Sequence, residues 1–186
     1  NGFIKVTDEV LETWSEILTA IPDSKLILKS NQPVNNSSRK NIMDTFIKQG
    51  IDTNRITILG MVASYYEHLA MYSKIDIALD PFPYNGTTTT FEALWMGVPT
   101  LTIKGNDHIS RVGTSILQQI GLDDFIAQDK QDYVAKAKSF SKDPAYLSQV
   151  REGLRNRVAN SDLCNAKQFS EDFESCLIGL AQQHNN

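Results

Sequence analysis

Residues 87–90 are four consecutive threonines, placed between a loop rich in proline and glycine and a short amphipathic segment that ends at Gly97. The apolar run at 75–79 predicts a buried strand, and the segment after the threonines predicts a helix. A loop that leads from the carboxyl end of a strand into a helix directs backbone N–H groups and the positive end of the helix dipole at one point. The threonines add hydroxyl donors there. The stretch therefore predicts a phosphate site.

Glu92 adds a carboxylate to this predicted site. It follows Thr88 by about one turn of an α-helix, so its side chain returns to the mouth of the loop. A carboxylate beside a phosphate suits the hydroxyl pair of a ribose. Two simpler interpretations stay open: the threonines serve only as a helix cap, or Glu92 is a surface carboxylate stabilised by the helix dipole.

The elements that must hold these residues alternate between helices and strands. Short apolar runs predict strands, apolar residues at helical spacing predict helices, and a polar segment with proline at 31–39 predicts a loop. The predicted strands cover residues 25–29, 55–60, 75–79 and 99–103. Besides the central helix, the predicted helices cover residues 10–20, 41–49, 64–73, 111–120, 131–140, 144–158 and 166–183.

Strands separated by single helices predict parallel βαβ units, and therefore an α/β fold in which helices cover both faces of a parallel sheet. Ligands of such sheets bind outside the carboxyl ends of the strands, where residues 60–64 and 80–90 form polar or small-residue loops. The length favours one domain over residues 1–186, with a helical tail from about 143 to 186.

Composition limits the classes of partner. With a net charge of −4 and 41% hydrophobic residues, the chain favours a packed core and no nucleic-acid partner. No apolar run reaches the roughly 18 residues of a membrane span, so no membrane partner is expected. Cys164 and Cys176 lie in a helical pattern that disfavours a disulfide between them, and a cytoplasmic location is expected. The chain begins with Asn1 instead of Met, which favours a piece of a longer protein.

The stretch DPFPYNGTTTTFEALWMGVP at 80–99, together with SRV at 110–112, resembles the carboxyl-terminal catalytic half of the O-GlcNAc transferase family, glycosyltransferase family 41. The likeness is to the bacterial members linked to tetratricopeptide repeats, and it extends over nearly the whole chain. The resemblance implies a GT-B enzyme whose two Rossmann-like halves face a cleft. This chain would be the carboxyl-terminal half, which holds most of the nucleotide sugar.

The implied activity is transfer of N-acetylglucosamine or another hexose from a UDP-sugar to a protein side chain, with inversion at the anomeric carbon. The family's acceptor-binding groups lie in its amino-terminal half and its repeats, so the protein acceptor would bind through regions missing here, and this chain alone would be inactive. The donor UDP-sugar is the expected ligand, with no cofactor. No Asp-X-Asp motif lies in a suitable loop, so no metal is expected.

The resemblance also implies roles for residues at the diphosphate and the ribose. Thr87, Thr88 and Thr89 fall where the family has a His-Thr-Thr triplet at the diphosphate, and Thr87 replaces the histidine. Glu92 falls where the animal enzyme holds the ribose with an aspartate. Lys5 matches a lysine at the β-phosphate, where a cation offsets the charge of the departing diphosphate.

At the base, His68 matches a family histidine beside the uracil, and Ala63 is expected to offer backbone contacts. Tyr65 and Gly2 stand where the animal enzyme has a lysine and a glutamine. An aromatic side chain at Tyr65 could instead stack on the base. Considered alone, a lysine such as Lys5 is usually a solvated charge and a histidine such as His68 is usually structural.

Other functions stay open at this point. The donor half says little about the acceptor, so a GT-B enzyme with a non-protein acceptor is one alternative. A non-catalytic Rossmann-like interaction module is a second. A dehydrogenase is disfavoured because no Gly-X-Gly-X-X-Gly follows the first strand.

Overall fold

The computed structural model describes residues 2–30 and 35–184. Within them the strands are β1 (Leu26–Lys29), β2 (Ile56–Leu59), β3 (Ala78–Leu79), β4 (Thr100–Ile103) and β5 (Ile126–Ala127). The α-helices are α1 (Asp8–Ala20), α2 (Asn36–Lys48), α3 (Tyr65–Ala70), α4 (Thr88–Trp95), α5 (Val112–Gln119), α6 (Lys130–Ser141), α7 (Pro144–Ala159) and α8 (Ala166–His184). Short 3₁₀ turns lie between several of these elements, including Phe3–Lys5 and Met71–Lys74.

The strands of the described residues pair in parallel. β1 pairs with β2, with Leu26 opposite Ile56, and a second group has the order β3-β4-β5, with Leu79 opposite Leu101. A helix precedes or follows each of these strands in the chain, as parallel pairing requires. The α/β class with a parallel sheet is confirmed, and the carboxyl ends of neighbouring strands point to a common edge.

Capping residues explain why two helices begin earlier than their apolar periodicity predicts. The side chain of Thr7 accepts a hydrogen bond from the Val10 N–H, so α1 begins at Asp8. Asn35 does the same for Ser38, so α2 begins at Asn36, inside the segment expected to be a loop; residues 31–34 of that segment lie outside the described part. Polar first turns are typical of helix starts, although they carry no apolar period.

The strands around the central helix are shorter than predicted. Only Ala78–Leu79 of the run at 75–79 pairs as a strand, since Pro99 has no N–H with which to continue the ladder. The Arg151 guanidinium donates instead to the backbone carbonyls of Ile75 and Asp76, at 2.8 and 3.0 Å. The two-residue strand β5 was not predicted, since so short a run has no visible period. Gly97 ends α4 with φ of 75°, a conformation that favours glycine.

The larger of the two apolar clusters among the described residues lies between the strands and the helices that flank them. It includes Trp14 of α1, Leu101 of β4 and Leu117 of α5, and it continues into α7 through Leu154. α7 is also fastened to α4, because the Arg155 Nε donates to the backbone oxygen of Trp95 at 2.7 Å. The predicted single domain over residues 1–186 and its tail boundary stay predictions.

The last helix, α8, has an exposed apolar face. Phe169, Phe173, Leu177 and Leu180 are each at least half exposed. Cys164 and Cys176 are free and exposed, in agreement with the expectation that they form no disulfide. None of the helices described is both long enough and apolar enough to cross a membrane.

Candidate functional site

Glu92 is the centre of a polar cluster between α3 and α4. Its Oε2 atom lies 2.9 Å from the Nε2 atom of His68 and accepts a bond from the Tyr72 hydroxyl at 3.3 Å. Its Oε1 atom accepts a bond from the Tyr65 hydroxyl at 3.0 Å. The side chains of His68 and Glu92 are 10% and 11% exposed. The carboxylate that was predicted to bind ribose therefore already has three protein partners, and Tyr65 is the exposed one.

Helix starts place these side chains. Ser64 caps α3 by accepting a bond from the Glu67 N–H at 3.1 Å, which directs the first turn of α3 toward α4. The Glu67 carboxylate in turn accepts the Ala63 N–H at 3.0 Å. The N–H of Ala63 is thus occupied, and its carbonyl is the backbone group left for a ligand contact.

The imidazole of His68 has one unsatisfied side. Nε2 faces Glu92, whereas Nδ1 is buried and has no hydrogen-bond partner among the described residues. A buried polar atom without a partner is uncommon, because leaving it unpaired costs roughly 1–3 kcal/mol.

Two further groups of this cluster were not predicted from the sequence. Burial and the Glu92 carboxylate raise the pKa of the Tyr72 phenol above its usual value, so Tyr72 remains a donor. Lys29, the last residue of β1, interacts electrostatically with Glu92. Burial lowers the pKa of its ammonium, and the Glu92 carboxylate partly offsets this effect. Lys29 could have been predicted from the sequence, because it ends a buried strand at the carboxyl edge of the sheet. Nothing in the sequence indicated Tyr72.

The threonines occupy the first turn of α4. Thr87 is its N-cap residue, yet its side chain makes no capping hydrogen bond. Thr87 and Thr88 are exposed, Thr89 is half-buried and Thr90 is buried. The first N–H groups of an α-helix have no intrahelical partner. This end of α4 therefore presents exposed hydroxyls and helix N–H groups without a capping side chain from Thr87, which weakens the interpretation of the run as a cap alone.

Lys5 lies against the loop that leads into α4. Its Nζ atom donates to the backbone oxygen of Asn85 at 2.7 Å and lies 3.9 Å from the centroid of the Tyr84 ring. Burial lowers the pKa of the ammonium, and the Asp80 carboxylate opposes this effect. Lys5 thus belongs to the loop side of α4, and Tyr65, His68 and Glu92 form the other group.

The group formed by Tyr65, His68 and Glu92 and the group around Lys5 lie at the same helix, α4. Among the interactions of the described residues, no direct contact joins Lys5 to Glu92. A cavity of about 260 Å³ lined by Asp124, Tyr146 and Arg157 lies elsewhere, beside α7.

Parallel strands joined by helices, with a polar site at the start of a helix on the carboxyl edge, define a Rossmann-like α/β domain. The chain belongs to glycosyltransferase family 41: the family model described as Glycosyl transferase family 41 matches residues 1–173. The family that residues 80–99 and 110–112 predicted is confirmed.

Individual relatives agree with this assignment. The chain is 37% identical over 184 residues to a probable UDP-N-acetylglucosamine–peptide N-acetylglucosaminyltransferase, SPINDLY, of Arabidopsis thaliana. The aligned region covers 99% of this chain and 20% of that protein. The chain is 30% identical over 177 residues to the UDP-N-acetylglucosamine–peptide N-acetylglucosaminyltransferase of Caenorhabditis elegans, covering 95% of this chain and 15% of that protein.

A solved structure shows the same fold. A mutant O-GlcNAc transferase of Thermobaculum terrenum superposes with a TM-score of 0.84 at 31% identity, over 91% of this chain and 32% of that one. The expected Rossmann-like half of a GT-B glycosyltransferase is thereby confirmed as the fold. The chain spans about a fifth of the length of the Arabidopsis relative.

Proposed function

We propose that this chain is the donor-binding half of an inverting protein glycosyltransferase that takes N-acetylglucosamine or another hexose from a UDP-sugar. The observation that carries the proposal is the pairing of His68 with Glu92 beside the exposed start of α4. It puts a carboxylate for the ribose next to hydroxyl and N–H donors for the diphosphate. A module kept only for protein contacts would have no use for this arrangement.

In this proposal the two groups of the site hold different parts of the donor. Thr87, Thr88 and Thr89 bind the diphosphate at the start of α4, where the helix dipole favours an anion. Lys5 adds a positive charge on the loop side. The Thr87 side chain makes no capping hydrogen bond to α4. The diphosphate would therefore accept hydrogen bonds from the first N–H groups of the helix in place of a capping side chain.

On the other side, Glu92 accepts bonds from the ribose hydroxyls, and His68 holds the Glu92 carboxylate in position through its Nε2 atom. Tyr65 releases Glu92 Oε1 and turns its exposed ring toward the base. Ala63 offers its carbonyl oxygen. Tyr65 as a whole is 63% exposed, so this movement displaces no core side chain.

The chemical step follows from these positions. An acceptor oxygen forms a bond to the anomeric carbon while the bond from that carbon to the diphosphate oxygen breaks, so that the electron pair leaves with UDP. Lys5 and the start of α4 stabilise the negative charge that develops on the departing diphosphate. The proton of the acceptor hydroxyl goes to a group outside this chain. The protein acceptor also binds through regions beyond this chain, and the expectations of a cytoplasmic location and of no metal or cofactor stay predictions.

Calorimetric titration of the intact protein with UDP tests the proposal. We expect saturable binding of UDP that is tighter than binding of GDP or ADP. Removing the Glu92 carboxylate in Glu92→Ala should weaken UDP binding about five- to a hundredfold, since a buried or charge-assisted hydrogen bond contributes roughly 1–3 kcal/mol. Glu12→Gln, an exposed substitution on α1, is the control and should change nothing.

Three results would count against the proposal. Absence of UDP binding would remove the donor site. Equal binding by the Glu92→Ala variant would remove Glu92 from it. Tighter binding of GDP or ADP would contradict the assignment of the base.

A further inference from the structure

Asp80 is a carboxylate buried directly behind the loop that enters α4. It is 1% exposed. Its Oδ1 atom accepts the Gly86 N–H at 2.7 Å, and its Oδ2 atom accepts the Thr102 hydroxyl of β4 at 2.9 Å. Its backbone oxygen accepts the Tyr133 hydroxyl of α6 at 3.1 Å. The first of these bonds closes the loop on itself from the inside, from the end of β3 to the residue before Thr87.

Asn85 holds the same loop from a second direction. It is also 1% exposed. Its Nδ2 atom donates to the Pro81 oxygen at 3.1 Å, and its Oδ1 atom accepts the Gly113 N–H at 3.3 Å. Its own N–H donates to the Ile109 oxygen at 2.9 Å, and its backbone oxygen receives the Lys5 ammonium. The loop and α5 are therefore connected through the buried side chain of Asn85, and Lys5 is connected to the same residue through its backbone oxygen.

Gly113 allows α5 to approach this arrangement closely. A Cβ atom at this position would lie 2.5 Å from the Thr102 hydroxyl oxygen and 2.7 Å from Oδ2 of Asp80. Both distances are far below van der Waals contact. The absence of a side chain at Gly113 is thus what lets the start of α5 reach the Asn85 side chain while Asp80 keeps its partners.

We infer that Asp80 and Asn85 form a buried clamp that positions the Gly86–Thr87 peptide and Lys5 against the diphosphate of the donor. The inference rests on the proposed function, because it needs a diphosphate at the start of α4. Both are positioning residues: each acts through the backbone of Gly86 or Asn85 and neither touches the ligand.

The charge of Asp80 argues for such a role. Burial raises the pKa of its carboxyl to about 7, although the Gly86 and Thr102 hydrogen bonds and the Lys5 ammonium lower it. Among the described residues the Tyr133 phenol also faces it, and burial and Asp80 raise the pKa of that phenol. A buried carboxylate is weak as a source of stability, since a neutral side chain would avoid the desolvation cost. A geometric task for the loop explains why a carboxylate stands there.

Two substitutions distinguish the effect of the hydrogen bond that holds the loop from the effect of the Asp80 charge. Asp80→Asn and Asp80→Ala both remove the negative charge, but only the asparagine keeps an acceptor for the Gly86 N–H. Binding of UDP and of uridine, which lacks the diphosphate, is measured by calorimetry and by competition on the intact protein. We expect Asp80→Ala to bind UDP about tenfold or more weakly than Asp80→Asn, with equal uridine affinity in both, since misplacing oriented groups is costly.

If the Asp80→Ala variant does not fold, two less disruptive substitutions on β4 test the clamp instead. Thr102→Val removes one donor to Asp80, and we expect UDP affinity to fall roughly two- to tenfold while uridine affinity stays the same. Thr100→Val is its matched control: Thr100 is equally buried on the same strand, and its hydroxyl has no partner among the described residues. It should leave both affinities unchanged.

The outcomes are distinct. Equal UDP affinity in the two Asp80 variants, or parallel losses of UDP and uridine affinity, would overturn the clamp and leave the donor site in place. No UDP binding by the unsubstituted protein would overturn both, because there would be no diphosphate to position.

Discussion

The Nε2 atom of His68 and the Oε2 atom of Glu92 lie 2.9 Å apart, although the two residues are 24 positions apart in the chain. This contact joins α3 to the middle of α4, so the two helices are connected at the site. The other Glu92 oxygen faces the exposed Tyr65 hydroxyl. The pair therefore orders the site before any ligand arrives, which reduces the entropy lost on binding.

The threonines at the start of α4 are predicted to differ in function according to their exposure. Thr88→Val removes an exposed hydroxyl while keeping the branched shape, and we expect UDP affinity to fall roughly two- to tenfold. Thr90→Val is the control, because the Thr90 hydroxyl is buried without a partner in the part of the chain described. Calorimetry on both variants checks this, and equal losses would show that the hydroxyl of Thr88 has no special role.

Tyr65 is predicted to compete with the ribose for Glu92. Tyr65→Phe removes the hydroxyl that occupies Oε1, so UDP should bind with equal or up to about tenfold higher affinity, the value of one exposed hydrogen bond. Tyr65→Ala also removes the ring, and UDP should bind more weakly than to Tyr65→Phe if the ring stacks on the base. A weaker affinity in Tyr65→Phe would instead make the hydroxyl a ligand contact.

Lys5 is predicted to control the alkaline limit of UDP binding. Burial lowers the pKa of its ammonium below 10.5, so the positive charge is lost at a lower pH than for an exposed lysine. UDP affinity should fall as this charge is lost, and Lys5→Met should have lower affinity throughout and no such fall. Lys25→Met, at an exposed lysine, should follow the unsubstituted protein. An unchanged pH profile in Lys5→Met would contradict the role.

Asp80 is predicted to make stability depend on pH. Its pKa rises from 3.8 to about 7 on folding, so its contribution to stability is fully present below pH 3.8 and is lost as the pH rises through about 7. Relative to Asp80→Asn, the free energy of unfolding should fall by up to roughly 4 kcal/mol over this range, at 1.36 kcal/mol per pKa unit. Urea unfolding at a series of pH values measures it.

The control for this series is Asp23→Asn, at an exposed position. Its stability should follow that of the unsubstituted protein at each pH. If the curves of Asp80→Asn and the unsubstituted protein were parallel, Asp80 would not titrate in this range.

The sequence was sufficient for the central elements and for the family. The alternation of apolar runs predicted the parallel sheet, and the segment after the threonines predicted α4, although the helix begins at Thr88, inside the threonine run. It was not sufficient for β5, because two residues cannot show a period, or for the first turn of α2, whose polar residues resemble a loop. Boundaries of this kind depend on capping contacts, which the apolar pattern does not contain.

The residues of the site were also only partly predictable from the sequence. Glu92 and His68 were predicted, yet the Tyr72 hydroxyl that completes their cluster was not, because tertiary packing alone brings it there. Asp80 was not predicted as a site residue, although it begins the stretch at 80–99 that resembles the family. Aspartate is usually exposed, so no composition or spacing rule indicates a carboxylate that is 1% exposed.

The bonds from α7 to the central region bear on where this polypeptide can be shortened. Arg151 and Arg155 reach the Ile75, Asp76 and Trp95 carbonyls, and Leu154 fills the core beside them. An expression product that stopped before Pro144 would open that core and leave three backbone carbonyls without their donors. A shortened polypeptide should therefore keep α7, and also Leu163, which packs against the same core; α8, whose apolar face is exposed, is the segment to remove first.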